Sequence, residues 1–167
     1  MKILNLKEAD EWLDQATLAN KRQVFKSDFQ FHAGIPPGNL DLREIFSKII
    51  FWLFTDRQPL LRISSNQNNP SVYSTEIYQR LIAVEERTDN PFAFPAIKFE
   101  YGEVNLAFEY CFVISSLLWS YVLYRTDLNA AVIHMPKESK LAIYFNERHV
   151  LLQIEPELKR FGFIQSK

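Results

Sequence analysis

The chain has 167 residues, a formal net charge of −1, 47% hydrophobic and 23% charged residues. A chain of this length and composition buries roughly 70% of its unfolded surface in one core, without metal or disulfide. A charge this close to zero excludes a global field for nucleic acid or anionic lipid, and the single cysteine, Cys111, excludes an internal disulfide.

The first fourteen or so residues are charged and lack the apolar core of a signal peptide. Asn5 followed by Glu8 predicts a capping box that opens a helix from Leu6 to about Asn20. Ala9, Trp12, Leu13 and Ala16 fall on one face of it, with Lys7, Glu8, Glu11 and Asp14 mostly on the other. Phe25, Phe29 and Phe31 then alternate with charged and polar residues, which predicts a strand over residues 23–32. Two prolines between Gly34 and Gly38 make a stiff turn. It is no phosphate cradle, because proline lacks the backbone donor. Asn39 or Asp41 caps a second helix to about Phe54, in which Glu44 and Lys48 form an i,i+4 pair. Its end, residues 49–54, is apolar on every side, as in the central helix of a core or a contact surface.

Residues 59–65 read as a short strand around Leu60, Leu61 and Ile63, followed by a polar loop over 64–70. A helix over 74–87 points Ile77, Leu81 and Val84 inward, and a proline-framed loop over 90–95 leads to a strand at 96–101, ended by Gly102. Val104, Leu106, Ala107 and Tyr110 suit a helix, whereas Trp119, Tyr121, Val122, Leu123 and Tyr124 suit a strand, with the switch near residues 115–117. Three apolar runs, 121–125, 130–135 and 141–145, are joined by turn-rich segments and predict a meander of hairpins. A fourth run, 150–154, is in place to extend it, with Pro156 at the first turn of a short last helix. Early alternation of helices and strands suits a parallel sheet, but the clustered hairpins argue more strongly for an α+β fold, helices packed on a mainly antiparallel sheet with a C-terminal β-meander, as a single globular domain over residues 1–167.

Catalytic and cofactor signatures are sparse. His32, His134 and His149 are far apart and belong to no metal-ligand spacing, so neither a metal nor a cofactor is expected. No Gly-x-Ser-x-Gly elbow occurs, and Ser115 and Ser116 read as packing residues. Cys111, between Tyr110 and Phe112, reads as a buried inert thiol. Gly34, Gly38, Gly102 and Gly162 are too scattered for a dinucleotide fingerprint or a P-loop. Residues 21–62 are mildly basic, but their aromatics follow core periodicity, so the segment reads as a solvated face and not as a nucleic-acid site. The nearly uncharged run 110–124 is closed by Glu109 and Arg125 and is shorter than the roughly 20 residues that cross a bilayer. It reads as core, in a cytoplasmic chain that spans no membrane.

The opposite imbalance is more informative. Glu85, Glu86, Asp89, Glu100, Glu103 and Glu109 are opposed only by Arg87 and Lys98, an acidic stretch suited to landing a basic protein and fixing its register. With the lone Cys111 and the hairpin run 119–145, this stretch resembles the small immunity proteins that neutralise toxins in bacterial competition systems. That resemblance implies a non-enzymatic module in a tight complex with a cognate nuclease or other toxin. The interface would bury about 1,200–2,000 Å² and rest on a few aromatic or charged anchors. The partner-binding residues expected are Glu85, Glu86, Asp89, Glu100 and Glu103, and charge reversal at the first three together is expected to slow association. Two alternatives stand beside it. One is a small hydrolase with a dispersed site, in which His134 with Glu138 would do general-base work. The other is an oligomeric or ligand-binding subunit using the apolar segments 49–54 and 110–124.

Overall fold

In a computed structural model, which describes residues 1–20, 29–34, 39–65, 96–116, 120–125, 130–135 and 140–166, these described residues form eight strands and four helices. The order is β1 (Lys2–Leu4), α1 (Leu6–Asn20), β2 (Phe29–Gly34), α2 (Asn39–Phe54), β3 (Leu60–Ser65), β4 (Ala96–Lys98), α3 (Val104–Ser116), β5 (Ser120–Tyr124), β6 (Ala130–Met135), β7 (Lys140–Phe145), α4 (Arg148–Arg160) and β8 (Ile164–Gln165). The strands join in one sheet, β1-β4-β3-β5-β6-β7-β2-β8, and every neighbouring pair is antiparallel. The α+β class and the C-terminal meander β5-β6-β7 are those the sequence predicts.

The first helix starts where its cap dictates. The Asn5 side-chain carbonyl accepts the Glu8 amide at 2.9 Å, and the Glu8 carboxylate accepts the Asn5 amide at 2.7 Å. A reciprocal cap of this kind stabilises a helix by about 1 kcal/mol. Ala9 and Leu13 are buried on its inner face, Trp12 and Ala16 half-buried, and Lys7, Glu11 and Asp14 exposed.

Successive residues of a strand point to opposite faces, and both faces of this sheet are covered. Val122, Tyr124, Leu60, Ala96 and Ala131 pack with Leu4 under α1. Their neighbours Tyr121, Leu123, Leu61, Ile97, Ala130 and Val132 pack on the other face against α2, α3 and α4. Burial on two sides explains why the meander strands are apolar at nearly every position. It also decides between the two readings of residues 49–54. Ile49, Ile50, Leu53 and Phe54 are buried and Phe51 and Trp52 half-buried, so this is the central helix of the core. The Glu44–Lys48 pair forms as expected, at 3.1 Å.

The switch from helix to strand falls where propensity places it, between the end of α3 at Ser116 and the start of β5 at Ser120. In β2, Phe29, Phe31 and Ala33 face the core, while Phe25 lies outside the described residues, as do the expected helix over 74–87, the loop over 90–95 and most of the polar loop over 64–70. The strand expected over 96–101 stops at Lys98.

One expectation is overturned. Residues 150–154 do not extend the meander but form part of α4. Val150, Ile154 and Leu158 recur every four residues and are all buried, while Leu152 is 72% exposed, a helical period mistaken for a short apolar run. The sheet also had no place for a fourth hairpin strand, because the outer edge of β7 is taken by β2 over six register pairs from Phe29↔Phe145 to Gly34↔Lys140. Pro156 accordingly lies inside α4 and not at its first turn.

Candidate partner-binding surface

The described part of the predicted acidic stretch includes a braced turn between β4 and α3. Phe99 anchors its start, fully buried, with its amide donated to the Pro59 carbonyl at 2.9 Å. The Glu100 amide then donates to the Glu103 carboxylate at 2.7 Å, and the Glu103 amide returns to the Glu100 carbonyl at 3.2 Å. Gly102 turns the corner at φ +83°, with open space where a side chain would stand. That left-handed conformation is strained for other residues, so glycine is required for the backbone and not for room. The Glu103 carbonyl accepts the Ala107 amide at 3.0 Å and so opens α3.

Two of the predicted binding residues, Glu100 and Glu103, are therefore brought together, and each is held. Gln58 donates its side-chain amide to the Glu100 carboxylate at 2.6 Å. The Met1 amino group lies 2.9 Å from the Glu103 carboxylate. Burial pushes the Glu103 carboxyl up, but the Glu100 amide and the Met1 ammonium outweigh it and hold the group below its ordinary 4.5. Glu109, on α3, pairs with Arg43 of α2 at 2.8 Å. The same guanidinium lies over the rings of Phe112 and Phe108, at 4.9 and 5.3 Å. Glu85, Glu86 and Asp89 lie outside the described residues.

The residue that sequence reasoning passed over is Tyr101. In a strand over 96–101, alternation gives it no special place. Because β4 ends at Lys98, Tyr101 instead sits at the tip of the turn and is 69% exposed. The signal was present in the spacing: a glycine directly after it, and two glutamates three apart whose side chain and backbone close on each other.

His134, Ser115 and Cys111 are inside the protein. His134 is 1% exposed. Its ring packs at 5.3 Å on Tyr121, its cross-strand partner, and edge-on to Phe46 at 6.2 Å. A general base needs access to the proton that it takes, and this ring is closed off by the core. Glu138 lies outside the described residues. Ser115 donates its hydroxyl to the Cys111 carbonyl at 2.7 Å and stands 3.2 Å from the Tyr121 hydroxyl. Burial pushes both the Cys111 thiol and the Tyr121 hydroxyl far up, so the thiol is held protonated and lacks the thiolate on which cysteine reactivity depends. This is the buried, unreactive cysteine that its apolar neighbours predict. Among the described residues, no three His, Cys, Asp or Glu side chains converge as metal ligands, and no helix is long and apolar enough to cross a membrane.

No family profile, no curated protein and no solved structure matches this chain.

Proposed function

We propose that this protein is a non-enzymatic binding module whose partner is another protein with a basic surface, and that it serves as an immunity protein that binds and blocks a cognate basic toxin. The observation that carries the reading is Tyr101, 69% exposed at the tip of a turn braced by the Glu100–Glu103 and Gln58–Glu100 contacts. Tyrosine supplies a large, stiff, amphipathic contact surface with only two side-chain torsions to order on binding. A turn already fixed by its own hydrogen bonds loses little further freedom when a partner docks. An arginine or lysine of a partner could stack on the Tyr101 ring and pair with the Glu100 carboxylate beside it, combining cation–π attraction with charge pairing. Inhibition then follows from coverage, because an interface of about 1,200–2,000 Å² over or beside a toxin's cleft denies access to its substrate.

The test uses the product of the gene directly upstream in the source genome, where a toxin would precede its immunity protein. Expected outcomes are a stable complex between the two purified chains, faster association at low salt than at high salt, and restored growth when this chain is co-expressed with that product. If the two chains do not associate and co-expression does not protect, the immunity reading is wrong.

A further inference from the structure

Lys2 of β1 and Lys98 of β4 are register partners across an antiparallel pair. Their side chains therefore leave the same face of the sheet, with β-carbons about 5 Å apart. Lys2 stands on the sheet's outermost strand and Lys98 one strand in. The face is the one that α1 covers, and between helix and strands lies an open groove of about 200 Å³ bordered by Lys2, Lys98, Leu4, Trp12, Glu8 and Glu11. Leu4 is buried at its base and Trp12 is half-buried in its wall.

The charges of this groove are unevenly satisfied. Glu8 accepts the Asn5 amide at 2.7 Å, and Glu11 stands 3.7 Å from Lys7. Neither the Lys2 nor the Lys98 side chain has an ion pair or hydrogen bond among the described residues. Like charges directly opposite one another on neighbouring strands are destabilising, so the sheet holds two adjacent cations beside an aromatic wall, with no described carboxylate in ion-pair contact with either.

We infer that this groove binds a small organic carboxylate with an apolar body, the carboxylate bridging the Lys2 and Lys98 ammonium groups and the body lying on Trp12 and Leu4. A shared anion removes the repulsion between the lysines and gains charge-assisted hydrogen bonds to both. Glu8 and Glu11 on the helix side set the orientation, since they repel the anionic end towards the sheet. They also disfavour a dianion. The volume falls below the roughly 300–1,000 Å³ of pockets for drug-sized ligands, which restricts the occupant to the size of an amino acid.

The experiment is a titration of the isotope-labelled full chain followed by two-dimensional amide NMR. The probes are phenylacetate, benzyl alcohol, phenethylamine and inorganic phosphate, and the Trp12 indole signal is assigned through Trp12→Phe. Phenylacetate should move the Trp12 indole and the Lys2 and Lys98 amides saturably, while the alcohol, the amine and phosphate leave them in place. Lys98→Gln should weaken phenylacetate binding about tenfold or more, the change expected for loss of a charge-assisted hydrogen bond, and Lys98→Arg should retain it. Lys2→Gln gives a second reading at the sheet edge, and well-dispersed spectra of each variant show that the fold is kept. Equal shifts with benzyl alcohol, tighter binding of phosphate, no saturable response to phenylacetate, or unchanged affinity in both glutamine variants would each overturn the assignment.

Discussion

Arg125 and Glu147 meet at 2.6 Å where β5 ends and α4 begins, with the arginine side chain only 3% exposed and the glutamate 21%. The Arg125 amide is donated to the Ala130 carbonyl at 2.9 Å, and the Glu147 carbonyl accepts the Val150 and Leu151 amides that start the helix. The pair thus ties the meander to the last helix through the backbone on both sides. Removing Glu147 takes a charge-assisted contact from a desolvated guanidinium, which costs about 2 kcal/mol. Glu147→Ala should lower the unfolding free energy by that order, and Glu147→Gln by less, because an acceptor is kept. Urea denaturation measures both. A loss under about 0.5 kcal/mol for the alanine variant would mean that the pair behaves like an ordinary surface contact.

Pro156 lies well inside α4 and is exposed. It donates no amide to the carbonyl one turn back, that of Leu152, and its ring crowds the same carbonyl. Pro156→Ala should raise stability by about 2 kcal/mol, the helix-propensity gain less the added freedom of the unfolded chain. A lower melting temperature in this variant would show that the proline shapes the helix end in a way that packing needs.

Burial raises the Cys111 thiol and the Tyr121 and Tyr124 hydroxyls above their ordinary values of 9.0, 10.0 and 10.0. In the unfolded chain these groups lose their protons first. Above about pH 9 the unfolded state therefore binds fewer protons than the folded one, and stability falls as pH rises, by roughly 1.4 kcal/mol per pH unit for each group so affected. The contribution is intact below about pH 9 and is lost above it. Urea midpoints measured from neutral to alkaline pH should show this decline, and Cys111→Ala should flatten its first limb. A flat profile past about pH 10 would contradict the burial of these groups.

Tyr101 should separate binding from folding. A largely exposed turn residue changes stability by under about 0.5 kcal/mol when truncated, whereas an aromatic anchor at an interface costs about 2 kcal/mol or more of binding energy. Tyr101→Ala should therefore leave the melting temperature in place and accelerate dissociation from the upstream gene product. Glu100→Lys should mainly slow association and weaken its salt dependence. Parallel losses of stability and affinity in Tyr101→Ala would assign the residue to the fold.

Local elements were legible where the chain carries local signals. The Asn5–Glu8 cap, the span of α1, the all-apolar end of α2 and the three meander strands follow from side chains within a few residues of each other. The acidic turn was half legible. Glu100 and Glu103 stood out as charges, but the exposure of Tyr101 depended on where β4 stops, and that is set by pairing with β1 and β3. β1 and β8, of three and two residues, are too short to carry a periodic pattern and exist only because a neighbouring strand is there to pair with.

What the sequence alone determined is the class of the fold, the three meander strands and the burial of Cys111, because hydrophobic periodicity and residue size act at every position without reference to distant ones. The order of the strands was decided by tertiary structure. The insertion of β2 between β7 and β8 and the pairing of Lys2 with Lys98 join residues remote in the chain. Such contacts form only when edges compete for partners and the apolar faces find one arrangement that buries them together.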